Sequence, residues 1–206
     1  MTAEAEQHAA AQQAQETRKR ILAAAERLFA ERGADGVSMS QLAAAAGVSK
    51  GNLFHHFPSK RALRRTVLQR ACADFRALVE DLGRADLPSR ARLERFVRDH
   101  TARLVARRDA VRLILRALLD ADPGEARWLA HEVFGEHFAA LVARMAGLQS
   151  RQADPVTAAF VMVAADVMRF LAGPVLEHLP EAGPVRDEAR WARALAALLG
   201  GGEEDR

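Results

Sequence analysis

Between Val37 and Pro58 the chain has room for two short helices and a tight turn, and for little else. Ser38 stands three residues before Gln41, the spacing at which a hydroxyl and a carboxamide cap each other's backbone N–H groups at a helix start. That helix passes through Ala43 and Ala46 and must stop at Gly47, a residue that takes left-handed backbone without steric cost. Val48 follows, and Ser49 is placed to cap a second helix, which Pro58 closes because proline lacks an N–H and disfavours helix in the residue before it. Leu42, Ala43 and Ala46 give the first helix a small apolar face. Leu53 and Phe57, four apart, turn the second helix inward, and Val48 fills the angle between the two. Lys50, Gly51, Asn52, Phe54, His55 and His56 are left over on the outside.

Two helices set at a steep angle, with one face of the second bare, have the shape that enters a DNA major groove, about 12 Å wide. The bare residues suit that partner. Lys50 and Lys60 offer charge to phosphates. Ser38, Ser40 and Ser49 offer hydroxyls or free N–H groups at helix starts. Asn52 and His55 are able to bond base edges, and Gly51 allows close approach. Capping is the plainer role for Ser49 and for Ser59, which precedes a fourth helix, and Phe57 reads as core. Of the two histidines, His55 is the expected DNA contact and His56 the one free to pack. Residues 17–70 carry eleven Lys or Arg and three acids, whereas the whole chain is only +3, so the positive charge is gathered at one end.

Helix formers dominate the rest, tyrosine is absent, and an all-α fold follows. Ile21, Leu22, Ala25, Leu28 and Phe29 make one helical stripe, with Thr17 as its expected N-cap and Gly33 as its C-cap. Residues 1–16 read as a disordered polar arm and 201–206 as a frayed tail. Beyond the helix-turn-helix, helices are expected over 60–82, 89–107, 109–119, 124–147, 155–171 and 185–199. The breaks between the later ones fall at Asp122-Pro123, Asp154-Pro155, Gly173-Pro174 and Gly183-Pro184. The fold expected is a three-helix DNA-binding domain over 17–63, then a helical ligand-binding and dimerisation bundle over 64–200, about nine helices in all.

The single cysteine, Cys72, excludes an internal disulfide and reads as a buried apolar thiol. The N-terminus lacks a signal peptide's basic and apolar regions. The apolar run 155–165 is too short to span a bilayer and ends at Asp166, so a cytoplasmic protein is expected. No catalytic residue, cofactor or metal is expected. His131-Glu132 begins a zincin-like pattern, but Gly135 occupies the place of the second histidine, and His137 lies on another face.

Over Thr17 to Leu63 the chain resembles the DNA-binding region of the TetR (tetracycline-repressor-like) family. The likeness is carried by Ile21–Phe29 with Gly33, and by the unbroken run from Ala46 to Lys60. The resemblance implies a homodimer on a palindromic operator, a small-molecule inducer, and repression. It puts Ser38, Ser40, Lys50, Gly51, Asn52, Phe54, His55, His56 and Lys60 on DNA-facing positions. The chain departs from the family pattern at Phe54, where a phosphate-touching tyrosine is usual. The lost bond is of order 1 kcal/mol.

The inducer pocket expected from this reading lies among residues 89–171, lined from Phe96, His100, Leu104, Leu113, Trp128, His131, Phe134, Phe138, Met162, Asp166 and Phe170. Asp166 and Arg169 interrupt an apolar helix and must be paired if buried. They stand as a polar anchor for an inducer, as an ion pair at the dimer interface, or on a solvent-facing rim. The dimer surface is expected on the last two long helices, through Ala158, Val161, Trp191, Leu195, Leu198 and Leu199. A regulator with the same DNA-binding unit and no ligand is the principal alternative, and a helical metal-dependent enzyme a more distant one.

Overall fold

The computed structural model describes residues 3–84, 86–148 and 154–200, and among them the secondary structure is helical. Helix α1 spans Ala3–Arg32, α2 Met39–Ala46, α3 Lys50–His56 and α4 Lys60–Ala73. Then come α5 (Phe75–Leu82), α6 (Ser89–Ala106), α7 (Arg108–Leu119) and α8 (Pro123–Leu129). A π-helical turn, Ala130–Phe134, joins α8 to α9 (Gly135–Met145). The chain ends in α10 (Pro155–Leu176), the short α11 (Gly183–Arg186) and α12 (Glu188–Leu199).

The chain divides into two compact units. The first comprises residues 1–71 and 109–126, the second residues 72–108 and 127–206. Most of α4 packs with the N-terminal helices, and α7 joins them from the middle of the chain. In the first unit Ile21, Leu22, Ala25, Leu28, Phe29, Leu63 and Val67 are all buried. Glu125, itself buried, ties α8 to α4: its carboxylate accepts from Arg64 Nη1 at 2.8 Å, with Arg65 at 3.6 Å and Arg61 at 3.8 Å.

Several boundaries differ from the sequence expectation. The polar arm is helical from Ala3 and continuous with α1, with the described side chains of 5–16 exposed. Its alanines and glutamines are strong helix formers, so propensity extends the helix where no apolar face demands it. Thr17 is thus not a cap but a buried residue inside α1. The expected helix 60–82 is interrupted only at Asp74, which keeps right-handed helical dihedrals. The expected helix 124–147 carries the π-turn. A Cβ on Gly135 would lie 2.6 Å from the Ala130 carbonyl oxygen, so the turn needs a residue without one. Pro174 does not stop α10, which reaches Leu176 although the proline forfeits the bond its N–H would give the Phe170 carbonyl. Asp187 caps α12 through a bond from the Arg190 N–H at 2.9 Å. The tail 201–206 lies outside the described residues.

The second unit is built on α6, which packs against α5, α10 and α12, with α9 against α5 and α10. Its core joins Leu78, Leu82, Leu93, Phe96, Leu141, Met145, Met162 and Leu195. Cys72 is buried, and burial pushes its thiol up to about 12.

Candidate DNA interface

The turn between α2 and α3 is made by local chemistry. The Gln41 N–H donates to Ser38 Oγ at 3.2 Å and the Ser38 N–H to Gln41 Oε1 at 2.8 Å, closing the capping box. Gly47 ends α2 at φ 65°, ψ 39°, left-handed backbone that a side chain would strain. Ser49 Oγ accepts the Asn52 N–H at 3.1 Å and so opens α3; Ser59 Oγ accepts the Ala62 N–H at 3.1 Å and opens α4. Both serines are caps, and their side chains are engaged in that work.

The two faces of α3 then separate cleanly. Leu42, Ala43, Ala46, Leu53 and Phe57 are buried, and Val48 is half-buried in the turn. Lys50, Gly51, Asn52, Phe54 and His55 are exposed, with Ser38, Ser40 and Ser49 exposed at the helix starts. Phe54 is 42% exposed, a large apolar ring facing outward. His56 is half-buried and meets the His55 ring edge-on at 5.5 Å. Burial, then the neighbouring His55 and Arg18, hold the His56 imidazole below its ordinary value, which keeps it neutral at pH 7. Lys60 is half-buried and its ammonium lies 3.9 Å from Asp35, a loose surface pair that leaves it available to a stronger anion. One residue near this face was missed by motif reading: Arg18 of α1 stands with its guanidinium 4.5 Å from the centroid of the Phe57 ring. Nothing in the local spacing of the sequence marks that contact.

The expected pocket residues are not gathered in one place. Leu113 belongs to the first unit, where it lines a cleft of about 310 Å3 with Phe29, Lys60 and Glu125. His131 is exposed on the π-turn, whose altered register turns it outward. Phe96 and Met162 are packed into the second unit's core with Phe138 against it, and His100 and Leu104 are buried. Trp128, Phe134 and Phe170 are half-buried.

Asp166 is 1% exposed and fully bonded. It accepts from His100 Nδ1 at 2.7 Å, Thr101 Oγ1 at 2.8 Å and Trp191 Nε1 at 3.0 Å, while Arg169 Nε stands 3.5 Å away. Burial pushes its carboxyl up, but the bonds from His100, Thr101 and Trp191 and the His100 charge outweigh it and hold the group below its ordinary value. Asp166 therefore joins α10 to α6 and α12 inside the chain. With Arg169 it forms an internal ion pair, which Arg169 extends by lying 5.8 Å over the Trp191 ring. By length and a mean hydropathy of 1.7, α10 is able to cross a membrane, longer than the apolar run suggested because it continues past Asp166. Its charged midpoint is instead bonded to its neighbours in the second unit.

Of the expected dimer residues, Ala158, Leu195 and Leu199 are buried in the chain's own core and Trp191 is bonded to Asp166. Only Val161 and Leu198 face outward, at 41% and 81% exposure. Helix α10 is apolar nearly all round, so sequence could not tell which side the core had taken, and the one apolar stripe of α12 is spent on the chain's own core. The outward face of α10 instead carries Val156, Phe160, Met168, Leu171 and Val175.

Comparison with known proteins agrees with this geometry. Residues 21–67 match the family model described as bacterial regulatory proteins, tetR family. The transcriptional regulator UidR of Escherichia coli K12 is 40% identical over 74 residues, which are 34% of this chain and 38% of UidR, so the match spans well under half of that relative. The transcriptional activator FasR of Mycolicibacterium smegmatis is 29% identical over 157 residues, 75% of this chain and 72% of FasR. A crystal structure of a tetR-family regulatory protein from Rhodococcus RHA1 superposes with a TM-score of 0.71 at 18% identity, covering 91% of this chain and 98% of that one. The capped, glycine-turned helix pair and these likenesses converge: residues 21–67 form a DNA-binding domain of the tetR family of bacterial regulatory proteins, and the chain as a whole is similar to transcriptional regulators of that family.

Proposed function

We propose that the protein is a cytoplasmic, ligand-responsive repressor that binds a palindromic operator as a homodimer and is released by a small molecule. The observation that carries the DNA reading is α3. Leu53 and Phe57 hold it inward, and Lys50, Gly51, Asn52, Phe54 and His55 stand clear on the other side. Lys50 meets phosphate, Asn52 and His55 meet base edges, and Phe54 packs on sugar or a thymine methyl. The apolar outer face of α10 supports a second copy as its cover: Phe160, Met168 and Val175 are each at least 60% exposed, a costly display for a monomer. A two-fold pair then sets two reading helices one DNA turn apart, about 34–36 Å. Release requires only that the inducer prefer the form that cannot bind DNA.

Footprinting of the DNA upstream of the protein's own gene tests this, with protection of a palindromic site expected. Lys50→Ala is expected to flatten the salt dependence of binding by about 0.9 in log–log slope, and Asn52→Ala to relax base preference. If neither variant alters binding, α3 is not the reading helix. FasR is named an activator. A protected site overlapping the promoter start supports repression here, and one upstream of it supports activation.

A second reading, DNA binding without a small-molecule signal, is favoured by one observation: Phe96 and Met162, expected to line a pocket, are at most 3% exposed within the core. Operator affinity unmoved by cell metabolite extract would support that reading.

A further inference from the structure

Arg18 lies outside the helix-turn-helix in sequence, three turns before the end of the stripe that buttresses it. It is exposed, yet not free to wander. Its guanidinium sits 4.5 Å from the centroid of the Phe57 ring, within the range of a cation–π contact. Phe57 caps the C-terminal end of α3 and is only 2% exposed, so Arg18 covers what the fold leaves reachable of a buried ring. The same charge is felt by His56, one residue back along α3. The next residue, Lys19, is paired with Glu16 at 3.4 Å, whereas no carboxylate partner is found for Arg18 among the described residues. A cation fixed at the end of the reading helix, on the basic side of the molecule, has one obvious complement.

We propose that Arg18 is a backbone-phosphate contact that fixes the DNA strand alongside α3, an inference that rests on the DNA-binding reading above. A guanidinium laid on an aromatic ring spends its face on the ring and keeps its N–H edge for a partner. That edge matches two phosphate oxygens in one plane. Arg18 projects from α1, which flanks the helix pair, so it meets the strand rather than the bases. Its role is positional: it contributes affinity and register, and no sequence preference.

The test is the salt dependence of binding of the full-length protein to a random-sequence 30-base-pair duplex, read by fluorescence anisotropy. Arg18→Met keeps apolar cover over Phe57 and removes the charge. Its log–log slope is expected to be shallower by about 0.9, one phosphate's share, so that a fourfold rise in salt costs it about 3.5-fold less affinity than it costs the wild type. Arg18→Lys is expected to keep the wild-type slope. Arg193→Gln, an exposed site on α12 in the second unit, removes the same net charge and is expected to leave the slope unchanged. A wild-type slope for Arg18→Met in protein that melts normally overturns the proposal, as does an equal loss in Arg193→Gln. A wild-type protein with no salt-dependent binding overturns the DNA-binding reading itself.

Discussion

Replacing Asp166 by Asn keeps the size of the second unit's polar centre, removes its charge and turns one accepting oxygen into an N–H donor. The carboxylate accepts three side-chain hydrogen bonds, at 2.7, 2.8 and 3.0 Å, and faces Arg169 at 3.5 Å. A bond to a charged acceptor contributes about 1.5–3 kcal/mol and a neutral one about 0.5–1.5. The two bonds to the oxygen that Asn retains are therefore weakened by about 1 kcal/mol each, and the bond from His100 loses its acceptor. Arg169, which is 10% exposed, is also left without its counter-charge. The sum is about 2–4 kcal/mol, and for a chain of this length each kcal/mol moves the melting temperature by about 2–4 °C. A calorimetric melt at pH 7 is expected to fall by about 5–15 °C. Acid supplies a second reading. The folded carboxyl is held below its ordinary 3.8, so its contribution is complete above that value and is lost as pH falls through the lower, folded one. The gap between wild type and Asp166→Asn is expected to narrow below about pH 4. A fall of under about 2 °C at pH 7, or a gap that stays constant in acid, would refute the argument that charge holds this centre together.

Phe54→Tyr restores the hydroxyl usual in the family on a ring 42% exposed, and is expected to tighten operator binding about fivefold, about 1 kcal/mol; unchanged affinity places the ring away from phosphate. Glu125→Gln takes the charge from the group that holds Arg61, Arg64 and Arg65, and is expected to cost about 1–3 kcal/mol in a denaturant titration, no shift in midpoint counting against the clasp. His56 and His137 are both held below the ordinary 6.5 chiefly by burial, so the unfolded chain binds protons first. Stability is expected to be complete above about pH 6.5 and to decline as pH falls through the folded values, with the double variant His56→Gln/His137→Gln flattening the profile.

The parts of this protein that were legible in sequence are those decided within four residues. Ser38 and Gln41 cap each other across one turn, Gly47 takes the left-handed backbone its position demands, and Ser49 bonds the Asn52 N–H. With Leu53 and Phe57 four apart, those signals orient the bare face of α3 before any tertiary contact is known. What was illegible depends on residues far apart in the chain. Asp166 meets Thr101 across 65 positions and Glu125 meets Arg64 across 61. No periodicity encodes either pairing. Helix α10, apolar nearly all round apart from Asp166 and Arg169, hid its register for a related reason: such a helix does not say which side the core takes. The polar arm carries no apolar stripe, yet its composition favours helix by itself, and α1 begins within it at Ala3.

The first unit is discontinuous: residues 1–71 need 109–126, whose Ala110, Val111, Leu113 and Ala117 are buried and whose Glu125 grips α4. On the ribosome, then, the reading head is unfinished when its own motif has emerged. The missing piece follows 55 residues later, about 3–11 s at about 5–20 residues per second. By then α5 and α6 of the other unit are already out. Neither unit can be completed before the chain has begun the other, and an excised N-terminal fragment is an intermediate of synthesis rather than a portable domain.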